Sequence, residues 1–235
     1  MAIEVFSRVE QKYLITENHF NALKPLLEKY MDADIYNKDG QTYPIFNIYF
    51  DTPSNELIIR SLEKPVYKEK LRLRSYGKAG NDDTVYFEIK KKFDGIVYKR
   101  RTPMTYREAK AFINGETEPL NPELNRQVFN EIKDLMERYE LTPKVMISYD
   151  RFAFFGKNDS DFRLTLDTNI FTRREELDFD SAPHGKSLLN EGEWLMEAKG
   201  TNSFPLWFVH FLSQNKINQN SFSKYGNEFL NYRAG

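Results

Sequence analysis

The residues of this chain that could do chemistry are charges set on alternate positions. Lys70, Arg72 and Arg74 are separated by Leu71 and Leu73, and Glu88 and Lys90 alternate with Phe87 and Ile89. Side chains in a strand point to opposite faces in turn, so each stretch gathers its charges on one side and its apolar residues on the other. The same pattern recurs at Arg8, Glu10 and Lys12, at Lys99 and Arg101, at Arg163 and Asp167, and at Glu197 and Lys199. One such pair describes an ordinary solvated sheet face. Repeated on many strands, with many cations and few carboxylates, it describes a surface suited to a phosphate chain and a divalent metal. Arginine and lysine take phosphoryl oxygens, and carboxylates hold Mg²⁺ or Mn²⁺.

The elements that must position these charges follow from the periodicity. Strands are expected over Ala2–Ile15, Tyr43–Asp51, Lys68–Tyr76, Val85–Lys92, Ile96–Arg101, Lys144–Phe155, Asp161–Asp167, Ile170–Leu177 and Trp194–Lys199. Asp94-Gly95 supplies a hairpin turn. Thr16 reads as the cap of a helix whose apolar stripe is Phe20, Leu23, Leu27 and Tyr30, and a short helix is expected near Ser54–Leu62. Thr105 with Glu108 fits a capping box, with Gly115 as the stop. Asn121-Pro122 is expected to open a longer helix that buries Val128, Ile132, Leu135 and Tyr139. Two short helices close the chain, about Pro205–Asn215 and Tyr225–Tyr232, and residues 179–192 read as a loop. The fold class is therefore α+β. An antiparallel sheet with one strongly apolar face needs helices on that face, and if it closes into a barrel the charges meet inside.

The bulk properties narrow the function. The chain has 235 residues, and 40% of them are hydrophobic, enough for one sizeable core and a single domain over 1–235. Mean hydropathy is -0.67. A formal net charge of -1 gives no global basic field for nucleic acid, so an anion site must be built from locally gathered cations. There is no cysteine, which excludes disulfides and thiolate metal sites. The start lacks the layout of a signal peptide, and the longest apolar runs fall short of the roughly 20 residues that span a bilayer, so a cytoplasmic location is expected.

Taken together the residues resemble the triphosphate tunnel metalloenzyme (CYTH-like) superfamily, and within it the VTC-type polyphosphate polymerase domain. The resemblance covers essentially the whole chain. Its carriers are Arg8-Val-Glu-Gln-Lys12, Leu71-Arg72-Leu-Arg74, Phe87-Glu88-Ile-Lys90, Val97-Tyr-Lys99-Arg100-Arg101, Tyr149-Asp-Arg151, Arg163-Leu-Thr-Leu-Asp167, Glu197-Ala-Lys199 and Ser223-Lys224-Tyr225. It implies a closed, eight-stranded antiparallel barrel with helices outside, in which the γ-phosphate of ATP is transferred to a growing polyphosphate chain. By the same resemblance Lys12, Arg72, Arg74, Lys90, Tyr149, Ser223 and Lys224 would bind phosphates, and Lys99, Arg151 and Arg163 would stabilise the transferring group. Glu197 would be the principal ligand of Mn²⁺ or Mg²⁺, with Glu10 and Glu88 as further candidates for metal or for holding nearby cations. Arg8 stands where the adenylate cyclase and thiamine-triphosphatase branch carries a first glutamate, which favours the polymerase branch.

Other motifs fall away. His-Gly-Lys-Ser at 184–187 resembles the end of a P-loop, but Asp180 stands where that motif needs glycine. His19, His184 and His210 are scattered, and no Gly-x-Ser-x-Gly elbow occurs. The run Leu206–Leu212 reads as helix core, with docking to a membrane protein as a second use. Three functions stay open: the polymerase, a hydrolase of tripolyphosphate or nucleoside triphosphate, and a non-catalytic polyphosphate-binding module. The metal candidate Glu197 favours catalysis, because a binder needs cations but no metal ligand. The oligomeric state is open.

Overall fold

The computed structural model describes residues 8–37, 40–121, 123–159 and 161–234. In chain order its elements are β1 (Arg8–Thr16), α1 (Glu17–Tyr30), β2 (Met31–Ala33), β3 (Tyr43–Asp51), α2 (Glu56–Leu62), β4 (Tyr67–Ser75), β5 (Thr84–Phe93), β6 (Ile96–Thr105), α3 (Tyr106–Ile113) and α4 (Arg126–Tyr139). There follow β7 (Thr142–Gly156), β8 (Arg163–Arg173), β9 (Lys186–Ser187), β10 (Glu193–Thr201), α5 (Leu206–Gln214) and α6 (Lys224–Ala234). Part of the expected first strand, residues 2–7, lies outside the described residues, as does Pro122.

The chain divides into two compact units. The first comprises Met1–Tyr43, Tyr149–Ile170 and Leu189–Phe222, and the second Pro44–Ser148, Phe171–Leu188 and Ser223–Gly235. In the first, β10 pairs antiparallel with β1 on one side and β8 on the other, and β2 pairs with the end of β7. Its core joins Phe20, Leu23 and Leu27 of α1 and Phe208 of α5 to Leu164, Leu166 and Met196. In the second, β3, β4, β5 and β6 pair antiparallel in that order. There Ile48, Leu71, Leu73, Phe87 and Ile89 pack with Val128, Phe129, Ile132 and Leu135 of α4. Within each unit the alternating strands thus bury their apolar side under helices, as period-two patterning requires.

Hydrogen-bonded neighbours run β1-β10-β8-β7-β3-β4-β5-β6, with β2 on β7 and β9 on β8. This path corrects the expected closed barrel. A barrel needs two neighbours for every strand. Among the described residues β1 bonds to β10 and β6 to β5, and the two do not pair with each other, leaving a large antiparallel sheet.

Local chemistry explains most boundaries. Thr16 Oγ1 accepts from His19 N, and His19 Nδ1 accepts from Thr16 N, which starts α1. Thr105 and Glu108 form the expected capping box of α3. Asp94 and Gly95 turn β5 into β6 with φ of 45° and 81°. Three expectations are corrected. Helix α4 starts at Arg126, capped by Asn125 Oδ1 accepting from Val128 N, and not at 121. The two strands expected at Asp161–Asp167 and Ile170–Leu177 are one strand ending at Arg173, in which Asn169 absorbs the irregularity with φ 50°. The expected loop at 179–192 contains the short strand β9, which pairs with Phe171 and Thr172.

In the second unit one buried carboxylate ties two helices to a strand. Asp51 Oδ1 accepts from Leu57 N at 2.8 Å, and Oδ2 accepts from Ile58 N at 3.0 Å and from the Tyr225 hydroxyl at 2.8 Å. Helix α2 has no side-chain cap from Asn55, so Asp51 satisfies its first amide groups. Burial, then Asp51, pushes the Tyr225 phenol well above its ordinary range. Asp51→Ala is expected to lower unfolding free energy by about 3 kcal/mol in urea denaturation, and Tyr225→Phe by about 1 kcal/mol. Equal, negligible losses would contradict this role.

Candidate functional site

The charged face of the second unit is built by register. Lys70, Lys90 and Lys99 are cross-strand partners on β4, β5 and β6, and the next row is Arg72, Glu88 and Arg101. Glu88 is 2% exposed. Its Oε2 accepts from Arg72 Nε at 2.8 Å and Nη2 at 2.6 Å, and lies 3.8 Å from Arg74 Nε, while its Oε1 lies 2.9 Å from Lys99 Nζ. Burial alone would raise the Glu88 pKa, but Arg72, Arg74 and Lys99 outweigh it and hold the carboxyl well below the usual range. The arginines are held further by neutral groups: Arg72 Nη1 donates to the Tyr49 hydroxyl at 3.0 Å, and Arg74 Nε to Asn47 Oδ1 at 2.9 Å. Lys70 Nζ donates to Ser223 Oγ at 3.4 Å. Ser223 Oγ also accepts from Gly226 N, so both contacts use it as an acceptor. Lys224 is the first residue of α6.

The first unit has a second charged face. Lys12 lies opposite Glu197, and Glu10 opposite Lys199. Lys199 Nζ is 2.6 Å from Glu197 Oε1 and 3.8 Å from Glu10 Oε2, while Lys12 Nζ is 3.8 Å from Glu197 Oε2 and 3.9 Å from Glu10 Oε1. Arg151 makes a two-point ion pair with Asp167, Nε to Oδ1 at 2.6 Å and Nη2 to Oδ2 at 2.8 Å, and its guanidinium lies over the Tyr149 ring. Burial opposes its charge, but Asp167, Tyr149 and Glu197 raise its pKa well above the ordinary value. Arg163 stands apart from this pair. Its guanidinium sits over Phe155 at 4.8 Å, and among the described residues it has no ion pair.

Of the residues picked from sequence, Arg72, Arg74, Glu88 and Lys99 thus converge in one cluster, and Lys90, Ser223 and Lys224 belong to the same unit. Lys12, Glu10 and Glu197 converge in the other unit, where Arg151 packs on Tyr149. Asp167, Lys199, Lys70 and the anchoring Asn47 and Tyr49 were not picked. The i, i+2 spacing marked Lys70 and Lys199, but only pairing across strands shows that Asp167 meets Arg151.

The donor set at Glu10 and Glu197 fits a hard divalent cation. Mg²⁺ and Mn²⁺ are held by one or two carboxylates together with water and substrate phosphates. Thr165 Oγ1 is buried without a hydrogen-bond partner at the position paired with Glu197, adding an oxygen there. Glu88 fits such an ion poorly, because it is buried and three cations crowd it, Arg72 and Lys99 within 2.9 Å and Arg74 at 3.8 Å. Among the described residues no three His, Asp or Glu side chains form a metal-binding group.

These faces define an α+β protein with cation-rich sheet strands. Residues 7–231 match the VTC domain model, and the chain belongs to that family. It is 25% identical over 194 residues to vacuolar transporter chaperone complex subunit 4 of Schizosaccharomyces pombe, covering 73% of this chain and 27% of that protein. The subunit of the same name from Trypanosoma cruzi is 26% identical over 154 residues, covering 54% of this chain and 19% of that protein. The chain thus spans about a quarter or less of the length of these curated relatives. The crystal structure of a Bacillus halodurans protein provisionally designated an adenylate cyclase superposes with a TM-score of 0.56 at 19% identity, covering 92% of this chain and 93% of that one. That likeness is one of fold. No helix among the described residues is long and apolar enough to cross a membrane.

Burial, with Arg72 and Arg74 nearby, pushes the Lys99 ammonium down to about 8 against the attraction of Glu88, although its side chain is 43% exposed and partly screened. Lys99 is therefore charged below about pH 8 and loses its charge above it. A bound anion pulls this value upward. Tripolyphosphate affinity, measured by calorimetry from pH 7 to 10, is expected to fall about tenfold relative to Lys99→Arg, which stays charged throughout. Parallel profiles for the two proteins would contradict the assignment.

Proposed function

We propose that this protein is a polyphosphate polymerase, transferring the γ-phosphate of ATP to the end of an inorganic polyphosphate chain. The observation that carries this reading is the Glu88 cluster, in which one buried carboxylate fixes two arginines and a lysine. Cations held this way meet phosphoryl oxygens without reorganising. Membership in the VTC domain family, and the likeness to chaperone complex subunits, support the same reading.

In the transfer the bond between the γ-phosphorus and the β,γ-bridging oxygen breaks, ADP leaves, and a terminal oxygen of the acceptor chain bonds to the γ-phosphorus. The nucleophile is already ionised, so no histidine base is required. Phosphoryl transfer depends chiefly on positioning and on neutralising charge. Arg72, Arg74, Lys90 and Lys224 bind phosphate oxygens, and Ser223 donates a hydrogen bond. Lys99 in the second unit, and Arg151 and Arg163 in the first, would each neutralise phosphoryl charge. Arg151 is the best oriented of these, because Asp167 grips it from one side and Tyr149 lies under it. Lys12 and Lys199 bind phosphate beside Glu10 and Glu197. Those two carboxylates would hold Mn²⁺ or Mg²⁺, which when bound supplies Lewis-acid neutralisation of phosphate charge.

Incubation with ATP and Mn²⁺, with products resolved by length, tests the reading. Long chains are expected from the wild type, and Arg151→Ala or Glu197→Ala is expected to reduce their formation at least about a hundredfold with the fold intact. ADP and orthophosphate without chains would assign hydrolysis instead. Unchanged rates in both variants would overturn the site assignment.

A further inference from the structure

The second unit ends in a three-stranded edge whose chemistry the phosphate site does not use. Tyr67 at the start of β4 pairs with Phe93 of β5, which pairs with Ile96 of β6. Asp94 N donates to Val66 O at 3.0 Å, fastening the β5–β6 turn to the chain entering β4. At this fastened end Val66 is 66% exposed, Phe93 54% and Ile96 57%. Turn tips ordinarily carry polar residues, and bare apolar side chains on a held turn mark a contact surface.

Lysines accompany them. Lys92 pairs with Lys68 across β4 and β5, and Lys64 lies just before Val66. Burial, then Lys92, Lys90 and Lys64, lowers the Lys68 pKa, and Lys68 Nζ donates to Ser61 O at 3.2 Å. The acidic groups nearby are Asp94 in the turn, Glu63, and Glu69, whose carboxylate accepts from the Tyr67 hydroxyl. With Lys90, the end carries four lysines against three carboxylates, of which Glu69 is buried, and so combines an apolar tip with an excess of cations. A soluble phosphate chain would use the lysines but leave the tip in water. A protein interface would use the tip, but interface centres are depleted in lysine. A bilayer with anionic headgroups satisfies both, taking apolar side chains at the headgroup boundary and lysines at its negative surface.

We propose that the β5–β6 hairpin end docks this protein on anionic lipid bilayers, with Val66, Phe93 and Ile96 entering the interface and Lys64, Lys68 and Lys92 meeting the lipid phosphates. Flotation of the purified chain with vesicles of phosphatidylcholine alone, or mixed with phosphatidylserine, tests this. Retention on the mixed vesicles only is expected, falling at least about tenfold in the double variant Phe93→Ser with Ile96→Ser. Lys64→Glu with Lys92→Glu is expected to weaken it similarly, and added salt to weaken the wild type. Tripolyphosphate-induced stabilisation of the serine variant should match the wild type, which separates loss of docking from loss of fold. Should the serine variant not fold, Phe93→Trp supplies a second reading, an emission shift to the blue on anionic vesicles beyond that of the wild type. No retention on anionic vesicles, equal retention on neutral ones, or an unaffected serine variant would overturn the proposal.

Discussion

The structure of the charged faces depends on one constraint: a cation on a sheet needs a fixed counter-charge if it is to hold its place. Glu88 meets that need in the second unit. It is buried, so its ionised form would be costly alone, and Arg72, Arg74 and Lys99 together keep it ionised. In return it pins three cations that would otherwise repel one another, and the cluster retains positive charge. Asp167 does the same for Arg151 in the first unit. A carboxylate in each unit thus acts on the protein's own cations.

The same alternation that creates these faces also creates the cores. Leu71 and Leu73 lie between Lys70, Arg72 and Arg74, and on β5 Phe87 and Ile89 flank Glu88. Burying Leu71, Leu73, Phe87 and Ile89 against α4 fixes which way the charges point. A register slip of one residue would place cations in the core and leucines on the charged face, so packing energy guards the site geometry. Asp51 plays a comparable part for α6, because its bond to Tyr225 holds the helix that begins at Lys224, directly after Ser223.

Much of this was legible in the residues. Period-two charge spacing located the strands and the face each charge occupies, and capping chemistry located α1 and α3. The α+β class and the family followed from the order of the charged motifs. The misreadings have physical causes. Asn169 holds a left-handed backbone inside β8, and such a residue looks like a strand break when only the sequence is visible. The Asn-Pro pair at 121 looked like a helix start, but Asn125 provides the cap. The spacing marked Asp167 but not its partner Arg151, 16 residues away, and Asp51 gave no local signal, because Tyr225 lies 174 residues away. Closure of the barrel was implied by the family resemblance, and strand pairing alone decides it.

The central claim is that fixed cations on these strands recognise linked phosphates as a unit. The most direct measurement is the melting temperature against tripolyphosphate concentration at constant ionic strength, beside orthophosphate and sulfate. A ligand that binds only the native state raises stability with the logarithm of its concentration once above Kd. The account predicts a rise with tripolyphosphate at concentrations where orthophosphate and sulfate give little. Equal shifts with all three anions, or no shift with any, would contradict it.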